Sequence, residues 1–68
     1  MKISAALRLA AEEAQMTDVE IAAAVGVNQQ TVARWLTGKS EPRGQTLIAL
    51  VDAVPGFGAR LGLKKVAA

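Results

Sequence analysis

The sequence predicts an all-α fold, a small bundle of four to five helices within a single domain. Its 68 residues suffice for one domain at most. Alanine, leucine, glutamate, glutamine and arginine dominate the first two thirds of the chain, and these residues favour helices. Residues that favour strands are scattered rather than alternating, so no sheet is expected.

The first helix is expected to begin with Ser4 as its N-cap and to run to about Gln15. Apolar side chains recur there at helical spacing and should form the buried stripe: Leu7, Ala10, Ala11 and Ala14. Glu12 and Glu13 fall off this stripe, so they should face water.

A second helix should begin after Thr17, because Thr17 and Glu20 have the spacing of a capping box. Asp18 in its first turn suits the helix dipole. Gly26 should end the helix in the left-handed conformation. The expected buried side consists of Ile21, Ala22 and Val25. Met16, just before the cap, should fill a gap between helices.

Two further helices are expected, over residues 29–37 and about 45–54. Asn28 can cap the first of them, and Gly38 can end it. Pro42 and two flanking glycines make residues 39–44 a loop. The expected apolar side of the later helix consists of Leu47, Leu50, Val51 and Val54.

The tail, residues 57–68, allows two conformations, a short helix or an extended arm in a dimer interface. Its glycines weaken any helix, yet it carries three large apolar side chains. No other apolar residues remain unassigned, so the expected dimerisation surface is the end of the fourth helix with Phe57, Leu61 and Leu63.

Charge is unevenly distributed along the chain. Residues 1–27 hold two basic and four acidic residues, a net charge of −2, whereas residues 28–68 hold six basic and two acidic residues, a net charge of +4. This asymmetry favours contact between the second part and a polyanion. A charge gradient without a role is the alternative.

The composition excludes several classes of protein. The chain has no Cys and no His, so disulfides and the usual zinc sites are absent, and neither a metal nor a cofactor is expected. The carboxylates fall on capping or solvent positions, which argues against an enzyme. No apolar run could span a bilayer, and no signal peptide is expected. The expected location is the cytoplasm of a prokaryotic cell or of a phage-infected host.

Residues 18–37 have the features of a helix-turn-helix, two short helices joined by a turn of about three residues that contains glycine. Ala22 is small enough for the helices to cross closely, and Gly26 tolerates the positive φ of the turn. The side chains expected to hold the second of these helices against the domain are Val27, Val32 and Trp35. Trp35 is therefore expected in the core rather than as a stacking platform for single strands.

Counted from Asp18, the spacing of these positions resembles the Cro/C1 or Xre-like helix-turn-helix family of phage repressors. The positions are Ile21, Ala22, Val25, Gly26, Val27, Val32 and Trp35. The resemblance runs from about Leu7 to Val54 and implies the small five-helix, lambda repressor-like DNA-binding domain. Residues 28–32 are similar to the start of the recognition helix in a phage repressor of this group, where paired glutamines read bases.

The outer face of the helix over residues 29–37 is polar and lacks acidic residues. Gln can bond adenine bidentately and Arg can bond guanine, while a small alanine allows close approach or contact with a thymine methyl. The expected base-reading residues are therefore Gln29, Gln30, Ala33 and Arg34. An ordinary solvated helix face is the alternative.

Phosphate contacts are expected on either side of this helix. The second helix offers its backbone amides and the hydroxyl of Thr17 as an anion site. The resemblance implies further phosphate contacts in the loop after this helix, around Lys39 and Arg43. The alternative is that these two residues serve only solubility. The expected phosphate-binding residues are Thr17, Asn28, Thr37, Lys39 and Arg43.

The sequence departs from the family pattern in two places. Asp18 stands where many relatives carry a Gln that binds phosphate and supports the first recognition glutamine. An acid there should repel the DNA backbone unless the cap or Arg34 holds it. Ala11 and Leu36 stand where relatives often have an Arg–Glu ion pair, so an apolar contact is expected instead.

These observations predict a sequence-specific regulator of transcription, Cro-like or a repressor, that binds an inverted-repeat operator in double-stranded DNA as a homodimer. A CII-like activator that reads direct repeats as a tetramer and a helix-turn-helix antitoxin are alternatives within the same class. A protein-interaction module without DNA contact is the alternative from another class. No membrane and no small-molecule ligand is expected as a partner.

Overall fold

The computed structural model describes residues 2–62 and contains five helices within that range. They are α1 (Ile3–Ala14), α2 (Asp18–Val25), α3 (Gln29–Thr37), α4 (Gly44–Ala53) and α5 (Phe57–Arg60). The described part of the chain contains no strand, and the all-α prediction is confirmed.

The helices pack around one core. Helix α3 contacts α2 and α1, α4 contacts α2 and α5, and α5 returns to contact α1. The buried side chains come from all five helices and from the turn before α5: Ala6, Leu7, Ala10, Ala11, Ile21, Ala22, Val32, Trp35, Leu50, Val54 and Phe57. Met16 is half-buried against this cluster, as expected. The core therefore supports α3 from two sides through α1 and α2.

The capping signals of α2 and α3 are confirmed. The Thr17 hydroxyl accepts from the Glu20 amide at 3.1 Å, and the Glu20 carboxylate accepts from the Thr17 amide at 2.9 Å. The Asn28 side chain accepts from the Gln30 amide at 2.7 Å. Gly26 ends α2 in the left-handed conformation with φ of 81°, which suits a residue without a Cβ.

Helix α1 begins earlier than the sequence predicts, because Ser4 is not its N-cap. Lys2 occupies that position and makes no side-chain cap, whereas Ser4 lies within the helix. A Cβ at Gly38 would lie 3.3 Å from the Oγ of Ser4, so Ser4 faces the end of α3. The short side chain of Ser4 therefore serves packing between α1 and α3. Helix α4 begins at Gly44, one residue earlier than expected.

The tail prediction needs a correction at Phe57, which is 0% exposed and belongs to the core. In the part of the tail that the structure describes, residues 57–60 form a short helix, and this helix places Phe57 inward. A Cβ at Gly58 would lie 2.9 Å from Cγ1 of Val51, so the glycine expected to weaken this helix lets it lie close to α4. Phe57 therefore leaves the expected dimerisation surface. Leu61 is half-buried against the core, and Leu63 lies outside the described residues.

Candidate nucleic-acid interface

Helices α2 and α3 and the turn between them form the helix-turn-helix. Ala22 is buried where the two helices cross, and its carbonyl accepts from the amides of Gly26 at 2.8 Å and Val27 at 3.0 Å. Val32 and Trp35 anchor α3 from within, and Trp35 is only 4% exposed. The core position expected for Trp35 is confirmed. Helix α3 is thus fixed at its N-terminal end by the turn and along its length by its buried side chains.

The opposite face of α3 is open to solvent. Gln29, Gln30 and Arg34 are exposed, and Ala33 is half-buried between them. The helix contains no acidic residue, so only polar, cationic and small groups line this face. The four predicted base-reading residues therefore share one accessible surface, which we call the α3 face.

Asp18 is bonded to the α3 face. Its Oδ2 accepts from Nε2 of Gln29 at 3.1 Å, and its Oδ1 accepts from the Val19 amide at 2.8 Å. The sequence left open whether the cap or Arg34 holds this carboxylate, and the structure shows that Gln29 and the Val19 amide in the first turn of α2 hold it. The resemblance implied a contact between a glutamine at this position and the first recognition glutamine, and the structure shows that the carboxylate of Asp18 forms it as well.

The hydroxyls of Thr17 and Thr37 already have partners. Thr17 Oγ1 donates to the Glu20 carboxylate at 3.2 Å, and Thr37 Oγ1 donates to the carbonyl of Ala33 at 3.0 Å. A phosphate accepts but does not donate hydrogen bonds at neutral pH, so either hydroxyl would have to exchange its partner to bind one. Phosphate binding by Thr17 and Thr37 therefore stays a prediction, and each hydroxyl would have to give up its present hydrogen bond to a carboxylate or carbonyl.

Lys39, Arg43 and Asn28 are better placed to donate. Lys39 and Arg43 are exposed, and within residues 2–62 neither forms an ion pair. The Asn28 cap uses only its side-chain oxygen, which leaves the Nδ2 group available. These three residues flank α3 at its start and beyond its end. They are the phosphate-binding candidates that require no change within the chain.

At the position of the family's ion pair, Ala11 is buried and Leu36 packs against the core. Ala11 and Leu36 line a groove of about 540 Å³ between α1, α3 and the start of α2. The other lining residues are Arg8, Glu12, Gln15, Met16, Thr17 and Thr37. Among the described residues, the ion pair is found elsewhere, between Arg60 of α5 and Glu13 of α1. Glu13 was expected only to face water, and this exposed pair contributes little to stability.

No helix within residues 2–62 is long and apolar enough to cross a membrane. The same part of the chain contains no cluster of three or more acidic side chains arranged to hold a metal ion.

The fold and the α3 face define a class, the DNA-binding helix-turn-helix proteins. The family model described as "Helix-turn-helix" matches residues 7–55, well over half of the chain. The protein belongs to this family, of the Cro/C1 type, and is a DNA-binding helix-turn-helix regulator. No curated protein and no solved structure shows significant similarity to the chain.

Proposed function

We propose that the protein is a Cro-like or repressor-type regulator that lays α3 into the major groove of a specific operator. The observation that supports this most is the α3 face, an exposed polar surface without acids on a helix whose other side is buried. Recognition helices present their N-terminal residues to base edges, and Gln29 and Gln30 open α3. The protein would act in the cytoplasm of a prokaryotic cell or of a phage-infected host.

The proposal includes a homodimer on two inverted half-sites. One short recognition helix reads only a few base pairs, so two copies about one helical turn apart are needed for useful selectivity. The surface proposed for pairing is the end of α4 with the segment around Leu61 and Leu63. Ile48 supports a contribution from α4, because it is 67% exposed although large and apolar.

Replacing Gln29 or Arg34 by alanine should weaken operator binding by about 1–3 kcal/mol and relax base preference at one position for each. Each side chain is exposed and can present its bonding groups to a base edge. The measurement is the affinity of each variant for the operator and for its single-base variants. Gln45→Ala is the matched control, because Gln45 is an exposed glutamine on α4, which does not contact α3. Unchanged selectivity in both α3 variants would refute the assigned reading face.

Lys39→Ala and Arg43→Ala should weaken binding to every duplex alike. Each removes a charge expected at a phosphate, so the slope of log affinity against log salt should become shallower by about 0.9 for each phosphate that is no longer neutralised. Fluorescence anisotropy over a range of salt concentrations measures this slope. Arg60→Gln is the control, since Arg60 lies on α5 and pairs with Glu13. If that control flattens the slope as much as Lys39→Ala does, the phosphates have been assigned to the wrong surface.

A further inference from the structure

We infer that Gln15 binds a backbone phosphate of DNA through its side-chain amide. This contact rests on the proposed function and adds a donor beyond the phosphate-binding residues predicted from the sequence. The observation behind it is the backbone conformation of Gln15, which ends α1 with φ of 56° and ψ of 40°. Within residues 2–62, every other residue with positive φ is a glycine.

The left-handed backbone of Gln15 is strained, because its Cβ lies too close to the carbonyl oxygen that follows. A glycine would avoid this contact, and helices commonly end with a glycine in this conformation. Glycines occupy the corresponding positions of α2 and α3, namely Gly26 and Gly38. Strained residues of this kind cluster at functional sites, so a function of the Gln15 side chain would account for the strain.

The side chain of Gln15 is exposed at the groove between α1, α3 and the start of α2. Thr17 and Thr37, two predicted phosphate-binding residues, line the same groove. Their hydroxyls donate to acceptors within the chain, whereas the Gln15 amide has no hydrogen-bond partner within residues 2–62. A side-chain amide carries two N–H donors, and a phosphate accepts. Gln15 can therefore donate to a phosphate at this groove without giving up an existing bond.

The charges around the groove nearly cancel. Arg8 lines it and forms no ion pair within the described part of the chain, so its guanidinium can attract an anion toward the Gln15 amide. Glu12, four residues later on α1, lines the same groove and opposes this attraction. Gln15 itself is neutral, so its loss should leave the slope of log affinity against log salt unchanged. This property separates its contact from those of Lys39 and Arg43.

The test compares Gln15→Gly with Gln15→Ala, because both remove the amide but differ in backbone strain. Gln15→Gly should raise Tm by a few degrees, since glycine adopts the left-handed conformation freely. Gln15→Ala should melt close to the wild type, since its Cβ preserves the strain. Both should lower affinity for every duplex about tenfold, the loss expected for one hydrogen bond to a charged acceptor. Gln45→Ala, at an exposed glutamine of α4, is the matched control and should change neither property.

A second measurement identifies the phosphate. Single methylphosphonates, which lack the phosphate charge and one acceptor oxygen, are placed one at a time along the operator duplex. At one position, the substitution should weaken binding by the wild type and by Gln45→Ala, but have a much smaller effect on Gln15→Ala, since that variant has already lost the contact.

Wild-type affinity in both Gln15 variants, with binding still weakened in Lys39→Ala, would overturn the inference and leave the proposed function standing. A loss confined to one of the two variants would also overturn it, because the amide is absent from both. The same holds for a loss in both variants that couples to no phosphate position. If the wild-type protein binds no duplex at low salt, the proposed function fails together with the contact.

Discussion

Phe57→Ala is expected to destabilise the domain by about 3–5 kcal/mol, the usual cost of emptying a large aromatic site in a core. Phe57 is fully buried and is the largest side chain of the core without exposed surface. Its side chain anchors α5 in the core, and α5 contacts α1 and α4. A domain of this size has a total stability of roughly 3–10 kcal/mol, so the loss is a large share of it.

Thermal unfolding followed by circular dichroism should show a fall in Tm of roughly 15 °C or more for Phe57→Ala. Val19→Ala is the control, because the Val19 side chain is mostly exposed and lies outside the proposed pairing surface, so its truncation should leave Tm nearly unchanged. Phe57→Leu should retain most of the stability, since it keeps most of the buried volume. A Phe57→Ala protein that melts like the wild type but no longer self-associates would restore Phe57 to the dimer surface.

Trp35→Ala is expected to have a similarly large effect, about 3–5 kcal/mol, and to remove DNA binding with it. Trp35 is buried on the inner side of α3, so its removal frees the helix that carries the predicted base-reading residues. It is the single tryptophan of the chain, so its fluorescence reports on this site alone. Emission from the native protein should be blue-shifted and resist quenching by acrylamide, and both properties should vanish on unfolding.

Trp35→Phe distinguishes packing from direct contact with nucleic acid. A core role predicts that this variant folds with a modest loss of stability and binds the operator with nearly wild-type affinity once folded. Should Trp35→Phe keep the wild-type Tm yet fail to bind, Trp35 would have to contact nucleic acid itself, and the buried position in the structure would not describe the bound state.

The sequence predicted those features that local chemistry decides. Thr17, Glu20 and Asn28 bond backbone donors within three residues of themselves, so their spacing alone identifies the caps. The turn requires a residue with positive φ, and a glycine such as Gly26 adopts this conformation without strain. The α3 face follows from helical periodicity once Val32 and Trp35 are turned inward.

The features that the sequence did not predict depend on how helices meet. Whether Phe57 faces the core or a partner is decided by the turn at Gly56 and by the close approach of Gly58 to Val51, which no local signal contains. The bond between Asp18 and Gln29 joins residues eleven apart, and it forms because the packing of α2 against α3 brings their first residues together. Ser4 is a residue type that often caps helices, but it lies inside α1 and faces the end of α3.

Selection of duplexes from a random pool by the wild-type protein tests whether the α3 face reads DNA sequence. We expect enrichment of one site made of two inverted half-sites about one helical turn apart, with adenine at the position that Gln29→Ala makes degenerate. Enriched direct repeats would favour the activator alternative and contradict the symmetric dimer. A pool that stays random at low salt, with the protein shown to be folded, would contradict sequence-specific DNA binding by this protein.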